Sequence, residues 1–138
     1  MYIKSFDELT FQDNFIFQKV MLKKHICKAV LEWLLDVSIK DIVYIHEEKN
    51  LDVRWDTKSV RLDVFVNDDK GTVFNIEMQT SKDMEELVKR TRFYQSILDM
   101  YHIQKGQKYT TLNDSYVIFI CTFPVFTGNR HKYTFRNL

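Results

Sequence analysis

Asp63, Glu77 and Gln79 have residue types and a spacing that suit a shared chemical role. Two carboxylates offer the hard oxygen ligands that divalent cations prefer. The amide of Gln79, two residues past Glu77, could position a water or a phosphate oxygen beside such a cation. A bound cation would activate water and stabilise the charge that grows on phosphorus, so these residues indicate phosphodiester hydrolysis.

A basic stretch follows these three residues in the sequence. Arg90 and Arg92 lie on a predicted helix, and Gln95 comes one turn later. Arginine binds phosphate oxygens through a planar fork of N–H donors, so these residues are candidates for DNA phosphate binding. The solvated basic face of a helix would have the same sequence pattern, and both interpretations stay open.

A β-hairpin is the element that must bring the two carboxylates together. Apolar and polar residues alternate over 60–67 and again over 73–79. A three-residue loop with Gly71 in the left-handed conformation fixes the register of the two strands. In that register Asp63 lies directly opposite Glu77, and the next polar pair is Arg61 with Gln79.

Two opposed carboxylates repel each other, and a like-charged pair across two strands destabilises a sheet. The repulsion between Asp63 and Glu77 could be compensated by solvent, by Arg61 or by a divalent cation. The hairpin therefore has two interpretations, a polar solvent face and a metal site. Glycoside hydrolysis fits less well, because its carboxyl groups stand about 5 to 9.5 Å apart around a sugar.

The sequence predicts a helical part and one strand before the hairpin. Apolar residues at steps of three and four over 13–36 predict a helix that breaks near Lys23 and Lys24, and Asp13 suits its N-cap. Residues 41–48 are rich in β-branched and aromatic types, which predicts the strand. The hairpin is expected to have one apolar face, made of Val60, Leu62, Val64, Val66, Phe74, Ile76 and Met78.

A second helix and a further strand are predicted after the hairpin. An apolar stripe over 83–101, which includes Tyr94, predicts the helix. The continuous apolar run 116–121 predicts a strand that is buried on both faces. Trp55 lies in a loop-like stretch and is a candidate to close over a groove.

Composition excludes several classes of protein. With 138 residues, 45% of them hydrophobic, and a net charge of +1, the chain is neither disordered nor strongly basic. Cys27 and Cys121 lie far apart, which argues against a disulfide framework and a structural zinc site. No apolar run suits a signal peptide or a membrane helix. One cytoplasmic domain over 1–138, with no membrane partner, is therefore expected: a helical part 13–36, a core 41–121 and a tail 122–138.

Four ordered stretches resemble the PD-(D/E)XK nuclease family transposases, the Rpn-like group of recombination-promoting nucleases. These stretches are DNFIFQKVM, KSVRLDVFVNDDKGTVFNIEMQT, KRTRFYQSILD and SYVIFICTFPVF. The resemblance runs from about Asp13 to Asn137 and implies a restriction-endonuclease-like α/β (α+β) fold. Its core would be a helix, a three-stranded antiparallel meander, a second helix and a further strand in a mixed central sheet.

The resemblance also implies an activity, a metal and site residues. The chain would be a bacterial Mg2+-dependent DNA endonuclease of recombination or transposition, with Mn2+ as a substitute and no organic cofactor. Asp63, Glu77 and Gln79 take the catalytic positions. The first two would bind the metal, helped by a backbone carbonyl near Met78, and Asp13 would be an additional acid. DNA is the expected partner, and a homodimer is an option.

The chain departs from the family pattern at two positions, and the second departure leaves an alternative open. Leu62 replaces the proline that gives the family its name, and Gln79 replaces the lysine. An amide carries no charge and accepts no proton at neutral pH, so the metal would have to activate the water. The alternative is a catalytically weak or inactive nuclease-fold module for DNA binding or interaction. A truncated C-terminal segment is a further option.

Overall fold

The computed structural model describes residues 1–51 and 60–136, so Trp55 lies outside the described residues. Its helices and strands are α1 (Asn14–Met21), α2 (Lys24–Leu35), β1 (Ile42–Leu51), β2 (Val60–Asp68), β3 (Val73–Gln79), α3 (Met84–His102) and β4 (Ser115–Cys121). Over these residues the chain is a mixed α+β structure, consistent with a restriction-endonuclease-like fold, which confirms the predicted class. None of the helices described is long and apolar enough to cross a membrane.

The strands form one mixed sheet in the order β1-β2-β3-β4. β1 to β3 are an antiparallel meander, and β4 runs parallel to β3. A parallel pair needs a crossover connection, which α3 supplies. The prediction that residues 116–121 are buried on both faces is wrong, because β4 is the last strand of the described sheet and its residues are half-buried.

The turn of the β2–β3 hairpin has the predicted geometry. Asp68 N–H donates to the Thr72 carbonyl at 3.2 Å, and Gly71 N–H donates to the Asp68 carbonyl at 3.1 Å. Gly71 has a φ of 78°, a conformation that glycine adopts without a steric penalty. Val64 pairs with Ile76 in the predicted register, which is therefore confirmed over this part of the hairpin.

The predicted break in the first helix is confirmed, since α1 ends at Met21 and α2 begins at Lys24. Asp13 does occupy the N-cap position of α1, but its side chain makes no capping hydrogen bond. Its carboxylate instead accepts the N–H of Thr10 at 2.8 Å and pairs with Lys4 at 2.9 Å. The predicted capping role of this carboxylate is therefore wrong, because the carboxylate is hydrogen-bonded to the preceding turn instead of to α1.

Each face of the sheet has its own apolar cluster. One cluster attaches α1 and α2 to the sheet through Phe17, Met21, Cys27, Leu31, Val64, Val66, Phe74, Ile76 and Met78. The other attaches α3 through Leu51, Val60, Leu62, Phe65, Val73, Tyr94, Ile97 and Leu98. The prediction of a single apolar hairpin face is therefore wrong for Val60 and Leu62, which pack in the α3 cluster.

This exchange of faces occurs at Asp63. The register between β1 and β2 is the same on both sides of Asp63, and before Asp63 it pairs Leu62 with Lys49. The neighbouring residue of β1, Glu48, has a φ of 53°, which departs from extended backbone. A positive φ is uncommon for residues other than glycine and interrupts the extended conformation on which regular alternation depends. This interruption lies beside the carboxylates of interest.

Candidate active site

The candidate site lies where β2 and β3 stop pairing regularly, beyond Val64 and Ile76. There the Asp63 N–H donates to Oε1 of Glu77 at 3.2 Å. In return, the Met78 N–H donates to Oδ2 of Asp63 at 3.1 Å. The two carboxyl groups thus take the place of backbone carbonyls in the ladder, and each side chain bonds the strand of the other.

The predicted pairing of Arg61 with Gln79 is not found among the described residues. Gln79 pairs instead with Cys121 of β4, and Arg61 pairs with Asn50 of β1. The prediction is wrong because it extends the regular hairpin ladder past Asp63, where carboxyl groups interrupt it.

Burial dominates the electrostatics of the carboxyl pair. Glu77 is 3% exposed, whereas Asp63 is half-buried. Loss of hydration raises the pKa of Glu77 to about 9, and the negative charge of Asp63 acts in the same direction. At neutral pH the free site therefore holds a proton on Glu77, and a cation bound there would displace it.

Asn75 adds a buried polar group beside Glu77, two residues earlier on β3. It is fully buried, and its proximity favours the charged form of the Glu77 carboxyl. Neither Nδ2 nor Oδ1 of Asn75 has a hydrogen-bond partner of acceptable geometry among the described residues. An unpartnered amide costs free energy when buried, so it suits a site that takes up a water or a hydrated cation.

Gln79 is held at both ends of its amide. Its Nε2 donates to the Ser81 carbonyl at 2.7 Å, and its Oε1 accepts from Nη1 of Arg90 at 3.0 Å. Arg90 reaches the site from the second turn of α3, and its Nη2 donates to the Tyr94 hydroxyl at 3.0 Å. The helix thus fixes the orientation of the residue that stands in the lysine position.

The guanidinium of Arg90 lies 5.3 Å from the ring centroid of Tyr94 and 5.3 Å from that of Phe119, and the two centroids are 5.9 Å apart. Burial opposes its charge, but the Tyr94 hydroxyl and the negative charges of Glu77 and Glu86 raise the pKa of Arg90 overall. Burial also raises the pKa of Tyr94. Arg90 is therefore a permanent cation within electrostatic reach of Glu77.

The three residues predicted to bind DNA phosphate have different surroundings. Arg90 is half-buried and bonded to Gln79, whereas Arg92 is exposed on α3. Gln95 is half-buried and donates to the hydroxyl of Ser115 at the start of β4. Phosphate binding by these residues stays a prediction, and the exposure of Arg92 makes it the most accessible of the three.

Asp13 does not form a metal-binding group with Asp63 and Glu77 among the described residues. Its hydrogen bonds to Thr10 and Lys4 hold the pKa of its carboxyl below the ordinary value. Across 1–51 and 60–136, no group of three or more His, Cys, Asp and Glu residues could hold a metal ion. Any metal site here would rest on two carboxylates, completed by backbone oxygens or water.

Sequence patterns missed two contributors to the site. Alternation puts Asn75 on the same strand face as Glu77, but it cannot reveal that this position is fully buried. Tyr94 was expected in the core, and it is buried, but its hydroxyl binds Arg90. The spacing of four residues between Arg90 and Tyr94 was the available signal, since such residues are neighbours on a helix.

Comparison with protein families gives a match over residues 13–137 to a family described as PD-(D/E)XK nuclease family transposase. The match covers nearly the whole chain, and its bounds agree with those of the resemblance seen in the sequence. No curated protein and no solved structure matches the chain.

Proposed function

The chain belongs to the PD-(D/E)XK nuclease family transposases, and we propose that it is a divalent-cation-dependent endonuclease that hydrolyses DNA. Family membership supports a nuclease-type function, with recombination or transposition as its setting. The observation that carries the proposal is the carboxyl pair of Asp63 and Glu77, each bonded to the backbone of the other strand.

The residues present suit a hydrated divalent cation. Mg2+ commonly binds one or two carboxylates and keeps several waters, so Asp63 and Glu77 are a sufficient set of protein ligands. A cation between them would offset both the burial of Glu77 and its repulsion from Asp63. The unpartnered amide of Asn75 could bond a water of its hydration shell. When bound, Mg2+ or Mn2+ would supply Lewis acidity and an activated water.

The chain's own residues would bind and orient the reactants. Asp63 and Glu77 would hold the cation, and Arg92 on the exposed side of α3 would contact a backbone phosphate. Gln79 has one amide hydrogen besides the one directed at Ser81, and that hydrogen could bond a water or a phosphate oxygen. It cannot take a proton, so it would act as an orienting group.

A second candidate function is a nuclease-fold module that binds DNA or a partner with little or no catalysis. The observation that favours it is Gln79 itself, a neutral side chain in the lysine position whose amide is bonded to Arg90 and Ser81. Both candidates predict DNA binding, but only the first predicts strand cleavage that needs a divalent cation.

Incubation with supercoiled plasmid in Mg2+ or Mn2+ tests the proposal. We expect nicking by the wild type, loss on adding a chelator, and at least a 100-fold slower rate for Asp63→Asn, since one oriented charged group commonly contributes about that much. Asp114→Asn, at an exposed position, is the matched control and should nick like the wild type.

Thermal unfolding of both variants must show a folded protein. DNA binding without nicking by the wild type would favour the module, and nicking by Asp63→Asn at the wild-type rate would contradict the assigned site.

A further inference from the structure

Arg90 makes more contacts within the protein than an exposed arginine on the surface would make. Its guanidinium donates to Gln79 and to Tyr94 at 3.0 Å each, and the rings of Tyr94 and Phe119 lie at 5.3 Å. These partners belong to β3, α3 and β4. The side chain therefore links three elements at the end of β3 that carries Glu77 and Gln79.

The contacts of Gln79 define which end of its amide faces which neighbour. Arginine only donates, so the atom facing Arg90 must be Oε1, and the Ser81 carbonyl only accepts, so the atom facing it must be Nε2. A flipped amide would oppose donor with donor and acceptor with acceptor. Arg90 thereby determines the direction of the remaining Nε2 hydrogen of Gln79.

Arg90 is also the positively charged group next to position 79. Glu77 and Gln79 project from the same strand two residues apart, and the guanidinium of Arg90 lies within electrostatic reach of the Glu77 carboxyl. Gln79 is neutral, so no positive charge enters the site from position 79. The guanidinium bonded to its Oε1 is a permanent positive charge next to that position.

We propose that Arg90 is a positioning residue of the nuclease site: it orients the amide of Gln79 and supplies the positive charge that position 79 lacks. This inference rests on the proposed function and assigns Arg90 a role different from contact with a peripheral phosphate. Its charge would favour negative charge that develops nearby during cleavage. The rings of Tyr94 and Phe119 lie next to the guanidinium.

The test separates cleavage, DNA binding and cation binding in Arg90→Met and Arg92→Met. Methionine is long enough to pack against both rings, so Arg90→Met keeps the apolar contacts. We expect its cleavage rate at saturating DNA to fall about 100-fold, with little change in DNA affinity. Arg92→Met should instead weaken DNA binding and reduce the slope of log K against log salt by about 1.

Cation binding gives a readout that does not depend on cleavage. Removing the positive charge that acts on Glu77 should tighten the binding of Mn2+ by the carboxyl pair, measured by calorimetry with the metal alone. Arg90→Met should therefore bind Mn2+ severalfold more tightly than the wild type, and Lys89→Met should not. Lys89 is the matched control because it is exposed on α3 and pairs with Glu85.

Two further variants test charge and geometry if Arg90→Met folds poorly. Arg90→Lys should recover part of the cleavage rate, because it keeps the charge but not the two-armed contact. Tyr94→Phe keeps the ring and removes one hydrogen bond of Arg90, so it should give a smaller loss. In the double variant Gln79→Lys with Arg90→Met, the lysine should restore activity relative to Arg90→Met alone.

The outcomes distinguish this inference from the proposed function. If the wild type cleaves and Arg90→Met cleaves equally fast at saturating DNA, or behaves like Arg92→Met, the inference is wrong and the nuclease function stands. If the wild type does not cleave, the function is wrong, and Mn2+ affinity still decides whether the charge of Arg90 acts on the site. Equal Mn2+ affinity in the wild type and Arg90→Met would then contradict the inference.

Discussion

Glu77 is the residue at which the proposed function would carry a cost in stability. Its carboxyl is buried beside Asp63, and burial raises its pKa to about 9. A buried carboxyl with a nearby like charge is common where a protein binds a cation or moves a proton. The sequence predicted the opposition of these two residues from hairpin register alone. It could not predict the extent of burial, which depends on α3.

The shifted pKa makes stability depend on pH in a defined direction. The folded-state pKa of about 9 exceeds the ordinary value of 4.5, so folding takes up a proton between these values. The stabilisation of the metal-free protein is thus complete below pH 4.5 and is lost as pH rises towards about 9. The slope is at most about 1.4 kcal/mol per pH unit.

Glu77→Gln should flatten this dependence and stabilise the metal-free protein above neutral pH. Glutamine keeps an acceptor for the Asp63 N–H but cannot ionise. Urea unfolding with a chelator present, across the same pH range, measures the effect. Glu85→Gln, on the exposed face of α3, is the control. Curves for Glu77→Gln that run parallel to those of the wild type would contradict the assignment.

Elements with strong local signals were predicted well. Period-two alternation and Gly71 defined the hairpin and its turn, and helical periodicity located α3 to within a residue at each end. The faces of Val60 and Leu62, which precede Asp63 on β2, were predicted wrongly. Alternation assumes a uniformly extended strand, and the positive φ of Glu48 on the neighbouring strand has no clear signature in sequence.

Gly71 offers a test of the hairpin turn, with Gly106 as a matched control. Both have positive φ, 78° and 89°, where a Cβ atom costs about 1–2 kcal/mol. A Cβ at Gly71 would also lie 3.1 Å from Nδ2 of Asn113, whereas nothing lies within 4 Å at Gly106. Gly71→Ala should therefore lower the free energy of unfolding more than Gly106→Ala, measured by urea denaturation. Equal losses would mean that Asn113 moves away freely.

At the scale of the whole molecule, one sheet positions the site by carrying helices on both faces. We propose that residues 1–138 form one domain, because the clusters of α1 and α2 and of α3 share β2 and β3. Element order and family were accessible from sequence because they rest on local pattern and on four long stretches. The contact of Arg90 with Gln79 was not, because it depends on how α3 crosses the sheet.

The near-neutral charge of the chain also bears on its action. A net charge of +1 provides no general attraction to nucleic acid, so DNA binding would depend on local cations and on the metal. The proposed nuclease function therefore depends most on whether the two carboxylates bind a divalent cation.

Calorimetric titration of Mg2+ into the wild type and Asp63→Asn, in buffers of different ionisation enthalpy, tests this claim most directly. We predict one cation per chain for the wild type, with release of close to one proton at neutral pH because Glu77 must ionise. Asp63→Asn should lose this binding. No binding by the wild type, or equal binding by Asp63→Asn, would contradict the account.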